Sequence, residues 1–174
     1  MKKIQFPELQ TDRLVLRRLI ESDWKEIQYL RSDKKVNKFV KRPKADTREK
    51  ALAFIQRINT EIETRNSVYW SISLKNKQPM IGSISLWNFS EDKKTAEVGY
   101  DLNPQFHKMG IMNEALQAVL NYGFQELNLD KIEAFTQINN EPSRQLLKKN
   151  KFKLNESRFD EDNPENLIFE IYRR

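Results

Sequence analysis

"QFHKMGIMNEAL", residues 105–116, decides how the rest of this 174-residue chain is read. Upstream, "TAEVGYDL" (95–102) alternates like a β-strand. Downstream, from Asn113, the residues Ala115, Leu116, Val119, Leu120, Phe124 and Leu127 recur with a period near 3.6. That pattern predicts a helix of about four turns packed on a sheet. The connection holds Gly110, one of four glycines, and His107, the single histidine. A helix N-terminus offers unpaired backbone N–H groups and the positive end of the helix dipole, which together suit an anionic phosphate. Glycine ahead of it permits positive φ or close approach of the backbone. Any turn can also want a glycine, so the residues alone leave two readings open: a phosphate loop or a plain strand-to-helix turn.

Working outward, "RLVLRRL" (13–19) reads as a strand. "ESDWKEIQYLRS" (21–32) follows as a helix with Ser22 as its N-cap. Residues 46–66 form a longer helix, with Asp46 as cap, Glu49 three residues on, and Ala51, Phe54, Ile55, Ile58 and Ile62 on one face. Three strands follow at 68–74, 81–89 and 95–102, joined by the polar loops "KNKQP" and "SEDKK". After the helix from Asn113 come a strand at 131–138 and a short helix in "NEPSRQLLKKNKF", with Pro142 in its first turn and Leu146 and Leu147 facing inward. "FKL" and "LIFEIYRR" close as terminal strands, and Gly82, Gly99 and Gly123 mark close packing or strand irregularities. The order predicts one mixed α/β domain over residues 1–174.

Composition narrows the function. The chain has no cysteine and a single histidine, so neither a disulfide framework nor a Cys- or His-based metal centre is expected. The opening Met1-Lys2-Lys3 leads into Ile4-Gln5-Phe6-Pro7 rather than an apolar signal region, and no apolar run approaches the roughly 20 residues of a membrane span. A cytoplasmic location is expected, with no membrane association. The net charge of +6 favours acidic partners. Basic pairs such as Lys34-Lys35 and Lys41-Arg42 are scattered along the chain rather than forming a stripe, so direct nucleic-acid binding is not expected.

Four stretches, in order, resemble one family. His107-Lys108-Met109-Gly110-Ile111-Met112 is similar to the acetyl-CoA motif Q/R-x-x-G-x-G/A of the GCN5-related N-acetyltransferases (GNAT), and Asn113-Glu114-Ala115-Leu116 to the "T-E-A-L" that often follows. "NNEPSRQLLKKNKF" (139–152) resembles the family's N-x-x-S-x-x-L-L-E-K-x-G-F. "AEVGYDLNP" (96–104) resembles the strand before the loop, and "LQTDRLVLRRLIESD" (9–23) the T-x-R-L-x-L-R opening of the branch containing ribosomal-protein N-terminal acetyltransferases (RimJ/RimL-like). The resemblance implies a GNAT-like fold: a mixed, mostly antiparallel central sheet with helices on both faces. It implies cofactor contacts from Leu102, Asn103, His107, Lys108, Met109, Gly110, Ile111, Met112, Asn113, Asn140 and Lys149. The departures are His107 and Met112 at motif positions, Lys151 where glycine is usual, and Leu147 where many members carry a proton-donating tyrosine.

The implied activity is transfer of an acetyl group from acetyl-CoA, as co-substrate and without a metal, to a primary amine. In the resembled branch that amine is a protein N-terminal α-amine. A small-molecule amine, or a non-catalytic acyl-CoA-binding or interaction protein, are the alternatives, and a homodimer is compatible with the family. The chemistry needs amine deprotonation, stabilisation of charge on the thioester oxygen, and a proton for the leaving thiolate. In the resembled fold the thioester sits where one strand parts from the next, here Tyr100–Asn103. Glu97 is the candidate base, against an ordinary solvent-facing strand glutamate. Ser143 is the candidate acid, against a helix-capping serine. Asn140 is either a pantetheine contact or a turn residue. An imidazole is chemically suited to act as a base, but the resemblance puts His107 beside the pyrophosphate. Trp70, Trp87 and Tyr100 are candidates for an acceptor pocket, or for core packing.

Overall fold

The computed structural model describes residues 5–75 and 79–174. Met1-Lys2-Lys3 and the middle of the "KNKQP" connection lie outside the described residues. Eight strands form one sheet: β1 (Leu9–Gln10), β2 (Leu14–Arg17), β3 (Val68–Leu74), β4 (Met80–Trp87), β5 (Thr95–Leu102), β6 (Lys131–Gln137), β7 (Lys153–Leu154) and β8 (Asn166–Tyr172). Their spatial order is β1-β2-β3-β4-β5-β6-β8-β7. Every neighbouring pair is antiparallel except β5 and β6. The mixed, mostly antiparallel α/β fold is the expected one.

Helices cover both faces. On one face α1 (Trp24–Ser32) and α2 (Arg48–Glu63) bury Ile27, Leu30, Phe54, Ile55 and Ile58 in a core of their own. On the other, α3 (Ile111–Gln125) and α4 (Glu141–Lys149) close the larger core with Leu116, Val119 and Leu147 against Leu16, Ile84, Val98 and Ile132. The 3.6-residue periods of α2 and α3 thus each deliver one apolar stripe to opposite sides of the sheet. Among the described residues, no helix is long and apolar enough to cross a membrane.

Helix starts differ from the sequence expectation. Ser22 caps nothing: it sits in a 3-10 turn (Glu21–Asp23), and Asp23 Oδ2 accepts the Ile20 N–H instead. The cap of α2 is Thr47, whose hydroxyl accepts the Lys50 N–H, while Asp46 pairs with the Lys50 ammonium. Threonine wins because its Oγ reaches the third helical N–H when its own backbone is extended. Helix α3 starts at Ile111, two residues before Asn113.

Gly82 answers to close approach. The β3–β4 register shifts so that Ile72 faces Gly82 and Ser73 faces Met80, leaving Ile81 as an extra residue. The Ile81 carbonyl accepts the Asn103 N–H at 2.8 Å. A Cβ on Gly82 would lie 2.5 Å from the Asp101 carbonyl oxygen, a backbone atom with no rotamer to yield. Gly82→Ala is expected to destabilise the protein by about 1–3 kcal/mol, as overpacking does. A urea unfolding midpoint equal to that of the parent would refute this.

Candidate functional site

The sheet divides between β5 and β6. These strands pair only at Thr95–Lys131, Ala96–Ile132 and Glu97–Glu133, although β5 runs on to Leu102 and β6 to Gln137. Beyond Glu97 a gap opens. The Asn103 N–H turns towards β4, where it reaches Ile81. By strand alternation the Tyr100 and Leu102 N–H groups point the other way, into the gap. His107 closes one end: its Nε2 lies 3.1 Å from the Leu102 carbonyl oxygen. The ring is exposed and sits just after a 3-10 turn (Pro104–Phe106), which Asn103 caps through the Gln105 N–H.

The loop into α3 is built for positive φ. Gly110, the N-cap, has φ 75°, and Lys108 has φ 61°. No side chain caps the helix start, so the N–H groups of Ile111, Met112 and Asn113 form an uncapped first turn. The Ile111 side chain is buried and Met112 packs on the core, so both contribute only backbone here. Arg13 is brought alongside from β2's start. It donates to the Met109 carbonyl at 2.9 Å and comes within 3.4 Å of the Cβ position of Gly110. Glu114, in the helix's first turn, fixes that arginine: its carboxylate takes the Arg13 Nε at 2.7 Å, the Arg13 backbone N–H at 2.9 Å and the Thr11 hydroxyl. The sequence motifs at 11–13 and 113–116 therefore interlock. Neither Arg13 nor Glu114 was singled out from sequence, because residues 101 apart disclose no partnership until the sheet is assembled.

Helix α4 starts at the gap. Asn140 caps it, accepting the Ser143 N–H at 3.3 Å. Ser143 is thereby freed from capping, and its Oγ lies 2.7 Å from the Tyr100 hydroxyl. Burial pushes Tyr100 up to about 12, against the opposing effect of its bond to Ser143. Leu147 is fully buried. Lys149 is exposed in the last turn, and the adjacent Asn150 ties α4 to α3 by donating to Asn113 Oδ1 at 2.9 Å. Lys151, where glycine is usual in the resembled motif, has a positive φ of 66°.

Glu97 points to the opposite face, the one carrying α1 and α2. Trp87 is its cross-strand neighbour and is 45% exposed. Burial, opposed by an Asn88 hydrogen bond and reinforced by Glu133 and Asp160, raises the Glu97 carboxyl to about 7. Trp70 is a different case. It is fully buried, stacks edge-on against Tyr122, and donates its indole N–H to the Pro7 carbonyl. The structure places it in the core rather than in a pocket. A groove of about 910 Å³ lies between the end of α3 and β7–β8.

The clasp on α3 has a measurable signature. Burial alone would raise the Glu114 carboxyl, but Thr11 and Arg13 outweigh it and hold it below its ordinary range. Stability from a depressed carboxyl is present above the unfolded pKa and is lost as pH falls through the folded one. Glu114→Gln should cost about 1–2 kcal/mol at pH 7, discounted for the exposure of Arg13. It should also remove part of the stability loss the parent shows below about pH 4. Parallel pH–stability curves for the two proteins would contradict the clasp.

Comparison with known proteins places the fold. The family model described as "Acetyltransferase (GNAT) domain" matches residues 13–153. The uncharacterized N-acetyltransferase YoaA of Bacillus subtilis is 30% identical over 144 residues, covering 83% of this chain and 81% of its own. The acetyltransferase structure from Agrobacterium tumefaciens superposes with a TM-score of 0.82 at 20% identity, covering 98% of this chain and 97% of that one. RimL, a ribosomal L7/L12 alpha-N-protein acetyltransferase crystallised with coenzyme A, gives a TM-score of 0.79 at 19% identity, covering 93% and 95%. At those identities the two structures establish a common fold. With the family match spanning most of the sequence, the chain belongs to the GNAT acetyltransferase family.

Proposed function

We propose that this protein transfers an acetyl group from acetyl-CoA directly to a protein N-terminal α-amine. The observation that carries the reading is the two-sided gap between β5 and β6. On one side stand the uncapped α3 terminus, Arg13 and Ser143; on the other, Glu97 and Trp87. A transferase that joins two substrates directly needs such an opening, with the thioester reaching it from one face and the amine from the other. The preference for an α-amine rests on the likeness of Thr11–Arg17 to the ribosomal-protein branch and on the common fold with RimL.

The residues divide the work. The α3 N–H groups and the Arg13 guanidinium hold the pyrophosphate. Glu97 accepts the amine proton, directly or through one water. Its carboxyl, near 7, is close to the 7.7–8.0 of a free α-amine, so little driving force is wasted in the transfer. The Tyr100 and Leu102 N–H groups face the carbonyl oxygen on which charge develops as the C–N bond forms. As the C–S bond breaks, the Ser143 hydroxyl supplies a proton to the thiolate and regains one from solvent, while Glu97 releases the amine's proton to solvent. Tyr100, neutral throughout, orients that hydroxyl through their 2.7 Å hydrogen bond. The arrangement meets the demand for an acid although Leu147 occupies the usual tyrosine position.

Saturating acetyl-CoA should raise the melting temperature, since about 100 Kd of ligand adds about 2.7 kcal/mol to the folded state. No shift would remove the cofactor reading. Ser143→Ala should lower kcat by about tenfold to a hundredfold, the modest end of general acid catalysis, with acetyl-CoA affinity nearly unchanged. An unaltered kcat would end the acid assignment. The parent's kcat/KM should fall below pH 7 as Glu97 protonates. In Glu97→Gln the break near 7 should be absent, leaving only the acceptor amine's own titration at about 7.7–8.0, with a lower plateau; a break still near 7 would exclude Glu97 as base.

A further inference from the structure

The connection between α1 and α2 gathers positive charge that the sequence disperses. Arg31, Lys34, Lys41, Arg42 and Lys44 line one pocket of about 360 Å³. The basic pairs that look scattered along the chain are therefore joined in space. The pocket's single acid, Asp33, is already engaged, with Oδ1 accepting the Lys35 and Val36 N–H groups.

Arg42 connects this pocket to the gap. It donates to Asp101 Oδ2 at 2.8 Å and to Asn37 Oδ1 at 2.8 Å. Asp101 lies on β5, on the same face as Glu97 and four residues further along, roughly 13 Å away at strand rise. Arg31 is the unusual member. Its guanidinium stacks 4.1 Å from the Phe54 ring centroid and donates to the Pro43 carbonyl, yet among the described residues no carboxylate forms an ion pair with it. Burial first, and then the charge of Arg42, lower it to about 10, with Tyr69 and Asp101 acting in the opposite sense. A partly buried guanidinium without a paired anion is unfavourable, and the neighbouring Arg42 worsens it. An incoming carboxylate relieves both.

We propose that this pocket binds carboxylates of the acceptor, so that the enzyme selects acidic N-terminal segments. The inference rests on the transferase reading of the adjoining gap. An extended chain covers roughly 13 Å in about four residues, which puts the recognised acids near the third to fifth residues of the acceptor. A peptide suits the pocket better than a nucleic acid: the lining contains no aromatic ring on which a base could stack.

The test uses two peptides with the same N-terminal serine, one with Asp or Glu at residues three to five and one with the corresponding amides. Affinity is measured by titration calorimetry with coenzyme A present, and acetylation by mass detection with acetyl-CoA. The acidic peptide should bind at least about tenfold tighter, a difference of about 1.4 kcal/mol, and lose that advantage at high salt. Arg31→Gln, and separately the exposed pair Lys41→Gln/Lys44→Gln, should each shrink the difference; the second guards against a folding defect in the first. Acetylation of both peptides with equal affinity would overturn the pocket while leaving the transferase intact. Acidic binding without acetylation of either would do the reverse. Binding of neither, or displacement by a short oligonucleotide in preference to the acidic peptide, would also overturn the proposal.

Discussion

The parting of β5 from β6 is the constraint on which the rest of the molecule depends. Each strand is fully occupied on its outer side, β5 by β4 and β6 by β8, so each half of the sheet is self-sufficient. Only three residue pairs join the halves. Past them, backbone groups that a continuous sheet would satisfy turn into a gap and need other partners. His107 meets one at the Leu102 carbonyl, and the start of α4 stands in the opening with Ser143 against Tyr100. The lone histidine thus places its Nε2 against a backbone carbonyl.

The same seam sets the electrostatics. Glu97, Glu133 and Glu170 stand abreast on adjacent strands, about 4.8 Å apart in the sheet. Three like charges in a row are untenable without compensation. Arg158 and Lys131 neutralise the pair Glu133 and Glu170. Among the described residues no cation pairs with Glu97, and burial outweighs the opposing Asn88 hydrogen bond. Its raised pKa is therefore first a consequence of burial, with Glu133 and Asp160 adding to it. On the opposite side of the gap the sign reverses, with Arg13 held by Glu114 beside an uncapped helix start.

Local features of this fold were legible in the sequence; pairings across it were not. Strands β3 and β5 coincide with the alternating runs, and the stripes of α2 and α3 with the apolar periods, because burial on one face writes itself into adjacent residues. Gly110 and Lys151 were readable as positive-φ positions for the same local reason. Helix caps were missed by a residue or more: Ser22, Asp46 and Thr47 are all good caps in composition, and only backbone dihedrals distinguish them. Trp70 had no local sign of its place, since its partners Pro7 and Tyr122 lie on other elements. Arg13 with Glu114, Tyr100 with Ser143, and the clustering of Arg31, Lys41 and Arg42 all depend on topology. A one-dimensional pattern carries none of these distances.

The two ends of the proposed site also differ in how sequence controls them. At α3 the anion is met by backbone N–H groups, whose position depends on Gly110 and the helix rather than on neighbouring side chains. That is why His107 and Met112 can depart from the resembled motif without dismantling the loop: one points to Leu102 and the other packs on the core. At the α1–α2 connection the positive field comes wholly from side chains, on a segment that contributes few residues to the core. Changes there alter charge with little cost to the fold. In the proposed site, acceptor preference is therefore the property that substitution would change most freely, while the proposed cofactor end stays fixed by the geometry of a strand, a glycine and a helix.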